Sequence, residues 1–176
     1  MVYHLLYIFQ RYSIIALLFL GVLLPACHKE DPTGYEMPLS VFSAEAVRKN
    51  RYQLTLAEEM LSIRNDNNLL ILAEKRKYHA EEYIRQLSIA MSKQSITNSL
   101  ELHEEDKRKI LELKTLSGLD HRAKLIGLLM DSDQELIALH VKASSSTGVV
   151  DQSIRSWAAS QLPLLMENLN EVQRIK

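Results

Sequence analysis

The chain has 176 residues, with 21 basic against 22 acidic side chains, five glycines, four prolines and one cysteine. The charge balance excludes a strongly basic nucleic-acid binder, and a hydrophobic fraction of 47% excludes a disordered chain. A single thiol excludes a disulfide scaffold or a cysteine-rich zinc module, and the scarcity of glycine and proline leans the chain towards helix.

Residues 1–26 contain no acidic side chain. Arg11 precedes an apolar run from Ile14 to Leu24, the basic-then-apolar order of an export signal. The run falls short of the roughly 18 residues expected of a spanning helix. It ends in Leu24-Pro25-Ala26-Cys27, which resembles a bacterial lipobox. That resemblance implies a thioether-linked diacylglycerol on Cys27, cleavage before it, and acylation of the new amino group. Alkylation needs a thiol, and the small Ala26 lets a peptidase close on the bond. With Cys27 carrying lipid, the folded part has no thiol to mispair in an oxidising envelope.

Residues 27–41 read as a lipidated cysteine and a flexible tether, polar and punctuated by Pro32, Gly34 and Pro38. Thirteen extended steps from Cys27 to Ser40 reach at most roughly 45 Å. His28 stands where the inner-membrane retention rule of some Gram-negative bacteria asks for Asp, so the resemblance favours outer-membrane delivery. Lys29-Glu30-Asp31 resembles the export tag of surface lipoproteins, and solvated linker charge explains it equally well. The protein is therefore expected in the cell envelope, facing either the periplasm or the cell surface.

From Phe42 to Lys176 the apolar positions recur at three and four, the period of helix. Ser43 is the expected cap of a first helix running to about Arg64, striped by Ala46, Asn50, Leu54, Ala57, Met60 and Leu61. Asn65-Asp66-Asn67-Asn68 stops it and caps a second helix, about Leu69 to Met91, with Leu69, Leu72, His79, Tyr83, Leu87 and Ala90 inward. A polar loop over Ser92 to Ser99 leads to a short third helix, about Leu100 to Leu116. Its acids precede its bases, as the macrodipole favours. Ser117-Gly118 closes it. The fourth helix, about Leu119 to Ala143, turns Leu125, Leu128, Leu129, Leu136, Leu139 and His140 inward. Asp151 caps a fifth helix through Arg174, striped by Ile154, Trp157, Ala158, Leu165, Leu169 and Val172, with Pro163 expected to kink it. Four long amphipathic helices pack most economically as one bundle, with the short helix in the crossover.

Four landmarks resemble the secreted family called domain of unknown function 4142: Tyr78-His79, Ser117-Gly118, the gapless run from there to His140, and Leu162-Pro163-Leu164-Leu165-Met166-Glu167-Asn168-Leu169. The resemblance covers Phe42 to Val172 and implies an all-α, ferritin-like four-helix bundle. The family's usual pattern places a histidine on the second, fourth and fifth helices, at positions that hold His79, Asp133 and Asn168 here. Only one imidazole is kept, and a neutral Asn168 is a poor ligand for zinc or iron.

A di-iron site needs Glu-x-x-His on two helices, because that spacing aims a carboxylate and an imidazole at one ion. The residues three before His79, His103, His121 and His140 are Arg76, Leu100, Gly118 and Ile137, none an acid. There is no nucleophile elbow, phosphate loop, His-Glu-x-x-His or Cys-x-x-Cys either. His79 reads as a core histidine bonded to a polar partner. Tyr83, one turn on, could bond it or simply pack. His140 takes a core position from which contact with Asp133 would span two turns, and Trp157 reads as a core anchor. The sequence thus points to a lipid-anchored bundle, more a binding or structural protein than an enzyme, with no cofactor expected beyond the lipid. Its partners are the membrane and an envelope protein or small ligand, with no nucleic acid. The alternative is a metal-binding protein centred on His79 and Asp133. Candidate ligand-binding residues are His79, Tyr83, Asp133, His140 and Asn168.

Overall fold

A computed structural model describes residues 34–63, 66–92 and 101–175. The expected signal segment, Cys27 and the loop after Ser92 lie outside the described residues. Five helices follow in order: α1 Leu39–Leu61, α2 Asn67–Ala90, α3 Glu104–Lys114, α4 Gly118–Ser144 and α5 Gln152–Arg174. Among the described residues there is no sheet, only one isolated parallel bridge between Met37 and Val149.

The caps at Asp66 and Asp151 act as their sequence contexts predict. The Asp66 carboxylate accepts from the Leu69 amide, and that of Asp151 from the Ser153 and Ile154 amides. The first helix differs. It starts at Leu39 behind Pro38, and Ser43, already inside it, donates its hydroxyl back to the Ser40 carbonyl. The cause is non-local. Glu36 and Met37 are pinned to the α4–α5 loop, their amides donating to Thr147 O at 2.7 Å and Gly148 O at 3.1 Å. The chain enters α1 directly from that clamp, so the expected tether over 27–41 is partly docked. The third helix is shorter than expected, with His103 as its N-cap residue. Pro163 lies inside α5, which runs continuously through it. Pro163 and Ala159, whose carbonyl loses its bond, both face solvent.

Helix α1 packs on α2 and on α4, α4 packs on α5, and α2 meets α5 more thinly. Cross-helix pairs fix the directions. Lys49–Glu135 and Gln53–Asp133 make α1 and α4 antiparallel, and Lys75–Glu171 and Gln86–Gln161 do the same for α2 and α5. Arg48–Asp106 and Lys114–Glu59 run α3 alongside α1 in the same sense, so α3 carries the chain back to the end where α4 begins. The four long helices thus form two antiparallel hairpins joined by a crossover that contains α3.

Two apolar clusters fill the bundle. One, at the end where α4 begins, gathers Leu56, Met60, Leu69, Leu72, Leu113, Leu125, Leu129 and Val172. The other, at the opposite end, gathers Phe42, Val47, Leu87, Leu136, Val149, Ile154 and Leu165. The expected stripes are largely inward, with a local correction on α1. Leu56 is fully buried, whereas Leu54 is only partly so. His79, Ala90, Leu139, Trp157 and Leu169 are likewise partly rather than fully buried.

Candidate functional site

Between the two apolar clusters lies a layer of buried polar side chains contributed by all four long helices: Asn50 and Gln53, Arg76, Ser132 and Asp133, and Asn168. Arg76 follows Leu69 and Leu72 along the inward stripe of α2, and Asp133 sits one turn beyond Leu129 on α4. Helical periodicity therefore turns a cation and an anion towards the same axis. Asp133 is 1% exposed and Arg76 4%. Their guanidinium and carboxylate are in direct contact, and Gln53 Nε2 donates to the other carboxylate oxygen at 2.8 Å. Burial pushes the Asp133 carboxyl up to about 6, against the pull of Arg76 and Gln53.

His79 and Asn168 meet across α2 and α5. The Asn168 Oδ1 can only accept, so His79 donates from Nδ1 at 2.9 Å and its Nε2 is left as the acceptor of the neutral ring. The sequence reading of His79 as a histidine with a polar partner holds, with Asn168 as that partner, although the ring is only half-buried. A small cavity of about 10 Å³ is lined by Asn50, Gln53, Arg76, His79, Tyr83 and Asn168, among others. Asn50 Oδ1 and Arg76 Nη1 are buried with no hydrogen-bond partner. One acceptor and one donor beside a space of that size suit a single water molecule.

His79, Asp133 and Asn168 do not form one constellation. His79 bonds Asn168, while Asp133 turns to Arg76 and Gln53 and does not line the cavity. No group of three or more His, Cys, Asp or Glu side chains suited to a metal ion occurs among the described residues.

His140 and Tyr83 belong to a second, aromatic arrangement. His140 Nδ1 lies 2.9 Å from the Leu136 carbonyl, which can only accept, so the ring donates there and Nε2 accepts from the Tyr83 hydroxyl at 3.0 Å. Tyr83 therefore bonds His140, not His79, and His140 makes no pair with Asp133. Phe42 and Tyr83 meet the imidazole edge-on and Trp157 at a tilt, with centroids 5.6–5.8 Å away. Burial lowers the His140 pKa to about 4, only partly offset by its backbone bond, and burial raises that of Tyr83 well above its usual value. A neutral imidazole locked in one tautomer between a phenol and a carbonyl ties four helices together.

The sequence reading missed Arg76 and Gln53. Arg76 carried a usable signal, since the inward spacing of Leu69, Leu72, Ala80, Tyr83 and Leu87 includes its position. No helix of the described residues is long and apolar enough to cross a membrane. No family model, curated protein or solved structure matches this chain.

Proposed function

We propose that this chain is a lipoprotein of the bacterial cell envelope whose ferritin-like bundle binds a protein or small apolar ligand and catalyses no reaction. The lipobox at Leu24-Pro25-Ala26-Cys27 supports the anchor, and His28 supports the outer membrane as its destination. Two or more acyl chains on Cys27 would hold it there stably. Kinship with the domain of unknown function 4142 family rests on the four sequence landmarks.

One observation carries the non-catalytic reading. The candidate ligands and proton carriers inside the bundle hold protein partners: Asp133 bonds Arg76 and Gln53, His79 bonds Asn168 through Nδ1, and His140 bonds Tyr83 and Leu136 through both ring nitrogens. A cation at Asp133 would also face the Arg76 guanidinium.

Cys27→Ala should move the protein from the membrane to the soluble fraction, and unchanged membrane retention would reject lipidation. Elemental analysis of protein purified without chelator addresses the bundle. A stoichiometric transition metal that disappears on His79→Ala would reject the metal-free reading.

A further inference from the structure

We infer that the end of the bundle holding the Met37–Val149 clamp docks on the bilayer to which Cys27 is attached, an inference that rests on the lipid-anchor proposal. Three of the four long helices, and the connection into α5, each place one aliphatic side chain at the surface of that end. Val41 lies in the first turn of α1, Ile89 in the last of α2, Val141 in the last of α4, and Val150 just before α5. These four are between 48 and 61% exposed. Ser40, Ala44, Ser88 and Lys142 are exposed near them, and Lys142 suits an anionic headgroup. The carboxylates of Glu36 and Asp151 at this end accept hydrogen bonds from Thr147 and from the α5 amides, and those of Glu45 and Glu104, which border Ala44, pair with Arg48 and Lys107.

Chain length selects this end over the other. The clamp, reinforced by Arg155 over the Tyr35 ring at 5.5 Å, takes up the chain from Tyr35 onwards. Only eight steps then separate Cys27 from Tyr35, a reach of at most roughly 29 Å. The far end also exposes aliphatic residues, Leu116 at 38% and Leu119 at 84%. Leu119 lies at the opposite end of α4 from the clamp, roughly 38 Å along the axis at 1.5 Å per residue. A chain fixed at the clamp cannot bring that end down to its own anchor. A side-on pose on Ile71 and Tyr78 of α2 is within reach, but the exposed carboxylates of Glu74 and Glu81 flank those two residues and resist transfer to lipid.

The test uses the full lipoprotein in vesicles of phosphatidylethanolamine and phosphatidylglycerol. A thiol is introduced by Val141→Cys, Tyr78→Cys or Leu119→Cys and spin-labelled, Cys27 being blocked by its thioether. The expected result is a several-fold higher ratio of oxygen to aqueous-nickel accessibility at 141 than at 78 or 119. Ile89→Glu with Val150→Glu should return the label at 141 to aqueous values while the protein still floats with the vesicles. A floating protein whose label at 141 matches that at 119 overturns the docking and leaves the anchor standing. So does one whose label at 78 is the lipid-exposed one, or one that ignores the two glutamates. Protein that does not float overturns the anchor, and the docking with it.

Discussion

Arg76→Met puts the buried polar layer to the sharpest test. Methionine keeps much of the arginine stem but leaves the Asp133 carboxylate, 1% exposed, with only Gln53 to bond it. Breaking a buried pair from one side costs about 3–5 kcal/mol. With a urea m-value of about 2 kcal/mol/M, the unfolding midpoint falls by roughly 2 M. Adding Asp133→Leu should recover most of that loss, because a buried pair replaced by apolar side chains is often neutral.

The pH profile separates the two variants further. Asp133 is raised from 3.8 to about 6 on folding, so its contribution is full below about 3.8 and is lost as pH rises through about 6. His140 is lowered from 6.5 to about 4, so its contribution is present above 6.5 and is lost as pH falls towards 4. Each shift corresponds to ~3 kcal/mol, and between pH 4 and 6 the two oppose one another. The double variant keeps only the histidine and should lose up to ~3 kcal/mol between pH 7 and 4. In Arg76→Met alone the unpaired carboxyl is raised further, so its deficit should shrink on acidification. Urea titrations of the Cys27→Ala protein, followed by far-ultraviolet circular dichroism at several pH values, read all of these. An Arg76→Met cost under about 1 kcal/mol, or a double variant no more stable than the single, would refute the reasoning.

Tyr83→Phe removes the donor to His140 Nε2 and leaves a buried acceptor without a partner; it should cost about 1–2 kcal/mol and lower Tm by several degrees in a thermal melt. Gly148→Ala would drive a Cβ into the backbone carbonyl oxygens of Ala143 and Lys142. Backbone must shift to admit it, so we expect a loss of about 1–3 kcal/mol and faster hydrogen exchange at the Met37 amide, which bonds Gly148.

The helices were legible where local chemistry decides them. Asp66 and Asp151 announce their helix starts, and the leucines of α4 announce its inward face. The start of α1 was not legible, because the clamp to Thr147 and Gly148 is set by residues more than a hundred positions away. Arg76 was hidden by its charge. Inward stripes read from apolar and neutral polar side chains leave out a guanidinium, and only Asp133 on the facing helix makes its burial affordable. Tyr83 reads from the sequence as bonding His79 or simply packing, and only packing across the bundle assigns it to His140.

The Met37–Val149 bridge also decides how the bundle bears mechanical load. Tension arriving through residue 34 meets the Tyr35–Arg155 stack and two backbone hydrogen bonds before it reaches the first turn of α1. Because those bonds hold the connection between α4 and α5, a pull on the segment before α1 is divided between both hairpins, and α1 is spared from being peeled off its neighbours one turn at a time.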